Sequence, residues 1–78
     1  MDKMTAAQKI EEFFQTSRIG EVYRVVIDLT EKALIEKALE RSLGNQLGAA
    51  KVLGLNRNTL RMKIKKFNID TRQFKRQQ

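Results

Sequence analysis

The apolar residues of this 78-residue chain recur mostly three or four positions apart, and this spacing constrains the fold more than any other feature. It places side chains on one face of an α-helix, and the alternation typical of half-buried strands is absent from the sequence. The chain also has no proline and only four glycines, so few positions interrupt a helix. The pattern predicts an all-α fold of four helices in a single domain over residues 1–78.

The first two helices are predicted within residues 5–43. The run Thr5–Gln8 reads Thr-Ala-Ala-Gln, which fits a capping box and starts the first helix. The second helix is expected from about Glu21 to Leu43. A break into two helices near Thr30 is the alternative.

The apolar face of the second helix changes sides along its length. Its first half carries apolar residues on two sides, and its last three turns present an arc made of Leu34, Ile35, Ala38 and Leu39. A helix buried on different sides at its two ends has different partners there. We therefore expect the first half to pack on the first helix and on a second subunit, which makes residues 5–43 dimerisation helices.

Residues 45–67 are predicted to form two short helices joined by a tight turn. The residues expected to end or cap the helices are, in chain order, Gly44, Asn45, Gly54 and Asn56. A glycine at the turn permits the left-handed backbone of a sharp reversal, and Leu53, Leu55 and Leu60 fall where the two helices must pack. This pattern is typical of a helix-turn-helix.

The charge of +7 is concentrated in the second half of the chain. Residues 1–40 hold 6 basic and 8 acidic side chains, whereas residues 41–78 hold 10 basic and 1 acidic, which is Asp70. Such a distribution favours a polyanionic partner, most often nucleic acid. A basic segment that only improves solubility is the alternative, and residues 71–78 are expected to be a flexible basic tail.

The composition argues against other classes of function. Without cysteine or histidine, the chain lacks the usual nucleophiles, bases and transition-metal ligands, so we expect no enzyme, no cofactor and no metal site. No apolar run approaches the length of a membrane span, and residues 1–4 do not start a signal peptide. A protein of the cytoplasm is expected.

The last predicted helix carries a face suited to the major groove of DNA. Opposite Leu60, Ile64 and Phe67 lie Asn58, Arg61, Met62 and Lys65, flanked by Arg57, Thr59, Lys63 and Lys66. Arginine pairs with guanine, asparagine with adenine, and methionine can contact a thymine methyl group. An ordinary solvated helix face is the alternative, but such faces usually mix signs, and no acid occurs between Arg41 and Ile69.

Residues 44–67 closely resemble the Fis family, which includes the factor for inversion stimulation and the C-terminal domains of NtrC-type enhancer-binding activators. The resemblance is carried by Gly44-Asn45-Gln46, Ala49-Ala50, the run from Leu53 to Arg61, and Lys63-Ile64-Lys65-Lys66-Phe67. It extends more loosely over about residues 5–70. Asn58 looks more like the NtrC branch than like Fis, which has glycine there.

The resemblance implies a four-helix homodimer whose two helix-turn-helix units enter successive major grooves. By position it implies DNA contacts from Asn56, Arg57, Thr59, Arg61 and Lys63, with Arg57 as the guanine reader. Asn45 and Gln46 would hold phosphate. The leading expectation is sequence-specific binding of double-stranded DNA by a fragment of an NtrC-type regulator, with further domains in the parent protein.

Three alternatives remain open at this point. The first is a free-standing Fis-like protein that bends DNA, and the second is a helical dimerisation module whose basic face meets acidic protein. The third is a small RNA-binding protein, which usually stacks bases on exposed aromatic rings. Tyr23, Phe13, Phe14 and Phe67 all lie on apolar stripes instead.

Overall fold

The computed structural model describes residues 4–75 and contains the four predicted helices. They are α1 (Ala6–Thr16), α2 (Val22–Arg41), α3 (Gln46–Leu53) and α4 (Arg57–Lys66), and a 3-10 turn follows at Thr71–Phe74. Residues 4–75 contain no β-strand, which confirms the all-α fold class. In this part of the chain no helix combines the length and the apolar composition that crossing a bilayer would require.

Helix α2 is continuous, so the alternative of a break near Thr30 is not what the structure forms. The chain nevertheless divides there into two compact units, Met1–Thr30 and Glu31–Gln78. All three buried residues of α2, Ile35, Ala38 and Leu39, belong to the second unit. Leu34, which the sequence placed in the same arc, is instead 55% exposed.

The first unit contains α1 and the beginning of α2. The predicted capping box is confirmed, since Gln8 N donates to Thr5 Oγ1 at 3.1 Å and Thr5 N donates to Gln8 Oε1 at 2.7 Å. None of its described residues is buried. Large apolar side chains are exposed instead, including Phe14 at 62% and Tyr23 at 79%.

The second unit has the core. Its buried apolar residues are Ile35, Ala38, Leu39, Ala49, Ala50, Leu60 and Ile69. The two adjacent alanines of α3 leave room for close packing, and Leu39 and Leu60 are both 0% exposed. The core therefore joins the end of α2 to both short helices.

The turn between α3 and α4 forms as predicted. Gly54 has a φ of 75° in the left-handed region, and Leu55 N donates to Ala50 O at 2.9 Å to close the end of α3. An added Cβ at Gly54 would meet no atom within 4 Å, so backbone conformation rather than space explains this glycine.

The corner between α2 and α3 has two successive residues with positive φ, Leu43 at 56° and Gly44 at 83°. Gly44 N donates to Leu39 O at 2.8 Å, which satisfies a carbonyl at the end of α2. A Cβ at Gly44 would lie 2.8 Å from Lys75 Cγ and 3.3 Å from the Thr71 carbonyl oxygen. The 3-10 turn therefore lies directly against this corner.

The segment after α4 packs on the core, although the sequence analysis predicts a flexible basic tail over residues 71–78. Ile69 is buried and Phe74 is half-buried against the core cluster. Burying an aromatic ring stabilises the turn that carries it, which is the physical reason for the difference. Residues 76–78 lie outside the described residues.

Asp70 caps this 3-10 turn. Its Oδ1 accepts from Arg72 N at 3.0 Å and from Arg72 Nε at 3.0 Å. The side-chain hydrogen bond from Arg72, followed by the backbone hydrogen bond, holds the pKa of the Asp70 carboxyl below its ordinary value. The carboxylate is therefore engaged within the turn.

Candidate nucleic-acid interface

Helix α4 is fixed by its buried side and exposes the opposite one. Leu60 is fully buried, and Ile64 and Phe67 pack partly buried beside it. Asn56 starts the helix by accepting from Asn58 N at 2.8 Å through its Oδ1. The sequence folds here as predicted because an asparagine cap and an apolar stripe at helical spacing agree.

The structure exposes most of the predicted contact residues on α4. Arg57, Asn58, Arg61, Met62, Lys65 and Lys66 are exposed, whereas Thr59 and Lys63 are half-buried. Met62 is 71% exposed, so an apolar group is available to a partner at the middle of the face.

Three basic groups on this face have no acidic partner among the described residues. Among the described residues, no carboxylate forms an ion pair with Arg57, Arg61 or Lys65. Lys66 differs, because its Nζ lies 5.2 Å from the centroid of the Phe67 ring. Three cations are therefore available to an anionic ligand.

An open groove connects the start of α3 to the exposed face of α4. It has a volume of about 660 Å³, and its lining residues are Gln46, Asn58, Arg61, Met62, Ile64, Lys65, Asn68 and Ile69. Five of the predicted contact residues thus share one surface. Arg57, Asn56 and Thr59 lie on α4 or its cap, but not in this groove.

The predicted phosphate ligand Asn45 also caps a helix. Its Oδ1 accepts from Gly48 N at 3.1 Å, as the Oδ1 of Asn56 does at α4. Within residues 4–75, neither side-chain Nδ2 group has an acceptor. The side-chain Oδ1 of each cap therefore accepts a hydrogen bond from its own helix. Its Nδ2 group can still donate a hydrogen bond to a phosphate oxygen.

Lys63 is placed differently from the other predicted contact residues. Its Nζ donates to Glu31 Oε1 at 3.0 Å and to Oε2 at 3.2 Å. Its side chain is only 27% exposed. The structure thus gives this lysine a protein carboxylate as its partner, where the sequence predicts a DNA contact.

A comparison with protein-family models matches residues 26–67 to the bacterial regulatory proteins of the Fis family. This chain belongs to the Fis family. The matched segment covers more than half of the 78 residues and includes α3, α4 and the turn between them. A comparison with solved structures found no match.

The Fis family is one of DNA-binding regulators, so the α3–α4 pair is a helix-turn-helix and the partner of this Fis-family domain is DNA. Every predicted contact residue, from Asn45 to Lys66, lies inside the matched segment. Helix α1 lies outside it.

Sequence reasoning missed one residue on the surface of this Fis-family domain. Asn68 lines the groove beside Lys65, and it has a positive φ of 57° just after α4. Asparagine tolerates the left-handed backbone better than most residues. Its position directly after the last helical turn was the signal that could have identified it.

Proposed function

We propose that the chain is the sequence-specific, double-stranded DNA-binding domain of an NtrC-type transcriptional regulator, and that it acts as a homodimer without enzymatic activity. The exposed face of α4 enters the major groove, while Asn45 and Gln46 at the start of α3 hold the phosphate backbone. The contact residues on α4 and its cap are Asn56, Arg57, Asn58, Thr59, Arg61, Met62, Lys65 and Lys66. No cofactor takes part.

The observation that carries this proposal is the set of unpaired cations on α4. Arg57, Arg61 and Lys65 are exposed, and no described carboxylate neutralises them. Basic side chains that merely keep a domain soluble are usually interspersed with acidic ones. A face without acids attracts the phosphates of a duplex and leaves its arginine forks for base edges.

Salt dependence tests the DNA surface. If a dimer neutralises about 6–10 phosphates, the logarithm of affinity should fall with the logarithm of salt concentration at a slope of about −5 to −9. We expect Lys65→Ala to weaken binding to every duplex alike and to flatten the slope by about one unit for each copy of the chain. Fluorescence anisotropy over a series of salt concentrations measures both effects.

Lys9→Ala is the matched control, because it removes one lysine charge from α1, outside the proposed surface. It should leave the slope close to that of the unchanged protein. Equal flattening by both substitutions, or an affinity that barely changes with salt, would show that α4 is not a phosphate-binding surface.

The homodimer is proposed from the exposed apolar side chains of the first unit. Phe14 at 62% and Tyr23 at 79% exposure lie in a unit without a buried residue among those described. A second copy that covers these rings would supply the burial that so small a unit lacks.

Analytical ultracentrifugation tests the dimer. We expect a species of twice the 9.1 kDa monomer mass at micromolar concentration, and a shift toward monomer for Phe14→Glu. Gln15→Glu adds the same charge on another side of α1 and should leave the dimer intact. A single 9.1 kDa species, retained with DNA, would contradict the proposal.

The NtrC-type assignment rests on Asn58, which follows the guanine reader Arg57 in the run Asn-Arg-Asn-Thr-Leu. In that branch of the Fis family the domain follows a larger ATPase domain in the same chain. Sequencing the gene upstream of the Met1 codon tests this directly. A stop codon in frame immediately upstream would favour a free-standing Fis-like protein instead.

A further inference from the structure

One ion pair of the second unit joins two helices that are far apart in the sequence. Lys63 of α4 and Glu31 of α2 are 32 positions apart, and their closest nitrogen–oxygen distance is 3.0 Å. The pairs Arg24–Glu21, Lys37–Glu40 and Arg72–Asp70 instead join residues two or three positions apart. The Glu31–Lys63 pair therefore links the DNA-reading helix to the helix that supports it.

The pair lies beside a small apolar cavity. Its volume is about 130 Å³, and Leu34, Ile35, Leu53 and Leu55 line it together with Glu31 and Lys63. The two charged side chains are 35% and 27% exposed, so both are partly withdrawn from water. An ion pair against an apolar wall is screened less than one in open solvent, and losing one partner leaves the other charge poorly solvated.

The pair adds a directional contact to the apolar packing that holds α4. Leu60, Ile64 and Phe67 hold α4 by apolar contacts, and such contacts have little directional preference of their own. Lys63 lies on the flank of this buried side and donates to both oxygens of one carboxylate. A directional contact at the flank limits rotation of α4 about its own axis.

The size of that rotation matters for reading bases. A roll of about 20° moves a side-chain tip that lies about 5–6 Å from the helix axis by about 2 Å. Hydrogen bonds to base edges fail over such a displacement, whereas contacts of flexible lysines with phosphates adapt to it. Loss of the pair should therefore affect discrimination between sequences more than overall affinity.

We infer that Glu31 is a positioning residue for DNA recognition: it holds Lys63, fixes the rotation of α4, and keeps this lysine away from the phosphates. The inference rests on the proposed DNA-binding function and assigns Lys63 to the protein rather than to DNA. Replacing Glu31 by glutamine frees a lysine charge beside the DNA-binding face. Affinity for random duplex should then rise or stay unchanged while the preference for the best site falls.

The experiment measures the affinity of full-chain variants for two duplexes over a range of salt concentrations. One duplex carries the best site selected from a random library, and the other has a random sequence. We expect Glu31→Gln to lower the ratio of the two affinities by about five- to 160-fold, the range of one lost base contact. The charge-swapped double variant, Glu31→Lys with Lys63→Glu, should restore most of that ratio. Lys63→Met should leave the salt slope unchanged, whereas Lys65→Ala flattens it.

Glu36→Gln is the matched control, because it removes the same charge from α2 at a half-buried glutamate that has no ion pair with a described residue. Circular dichroism at the binding temperature reports the folded fraction of each variant. If Glu31→Gln does not fold, the double variant decides, since a restored ion pair should restore both folding and discrimination.

Each contrary result has a distinct meaning. A Lys63→Met variant that flattens the salt slope as Lys65→Ala does would make Lys63 a phosphate ligand and overturn the inference. A Glu31→Gln variant that melts earlier but discriminates as well as Glu36→Gln would reduce the pair to a structural contact. If the unchanged protein prefers no duplex at all, the proposed function fails and this inference fails with it.

Discussion

Leu39→Ala is expected to lower the free energy of unfolding by about 2–5 kcal/mol, the usual range for a buried leucine. Leu39 is 0% exposed and belongs to the core cluster of the second unit. A domain of this size has a total stability of only about 4–12 kcal/mol. The substitution should therefore remove a large share of it, and urea denaturation followed by circular dichroism measures the loss.

Leu47→Ala provides the matched control. It deletes the same atoms from a leucine of α3 that is 52% exposed, so the expected change is within about 0.5 kcal/mol. Similar losses for both variants would mean that Leu39 does not belong to the core of the folded domain.

Arg57→Ala is expected to weaken the free energy of binding to the best DNA site by about 1–3 kcal/mol and to relax the preference at one base pair. Arg57 is the first residue of α4 and is exposed, and this end of a recognition helix usually points at base edges. Its guanidinium can donate two parallel hydrogen bonds to guanine, which an ammonium cannot reproduce. Competition binding with a library of sites measures the loss for each base.

Arg57→Lys separates geometry from charge in the same experiment. It keeps the positive charge and should therefore retain the salt slope, yet it should lose most of the preference for guanine. Should Arg57→Ala weaken every sequence equally, as Lys65→Ala is expected to do, Arg57 contacts the DNA backbone and another residue of α4 is the reader.

The features that the sequence predicted well depend on local interactions. The capping box at Thr5, the caps at Asn45 and Asn56, and the left-handed Gly54 each involve residues no more than a few positions apart. The side chains and backbones of these residues allow few local conformations. The local sequence is therefore almost sufficient to predict these caps and this turn. The helix boundaries follow from them to within two residues.

What the sequence did not predict depends on contacts between distant segments. The pattern places Lys63 among cations on a flank of α4, and only the fold brings Glu31 to within 3.0 Å of it. Phe74 lies in the range 71–78, for which the sequence predicts a flexible basic tail, because a single aromatic residue among basic ones forms no periodic stripe. The partial burial of Phe74 depends on where the chain after Ile69 meets the core, and the local sequence does not specify this.

Leu34 shows the limit of the helical wheel. It lies at one edge of the apolar arc of α2, about 40° from Ala38 on the wheel, yet it is 55% exposed and lines the apolar cavity beside Glu31. An apolar stripe gives the direction of a buried face but not its width, because the width depends on how far the partner helices extend. The width of that face is therefore a property of the assembled helices.

The positive φ of Leu43 at the corner before α3 has a consequence for protein engineering. L-Leucine disfavours the left-handed region, so this half-exposed residue holds a conformation that glycine or asparagine adopts more readily. The backbone there is already in the shape that those residues prefer, and neither the core nor the basic face of α4 would change. Residue 43 is thus a position where directed evolution for heat resistance should first find gains that leave DNA reading untouched.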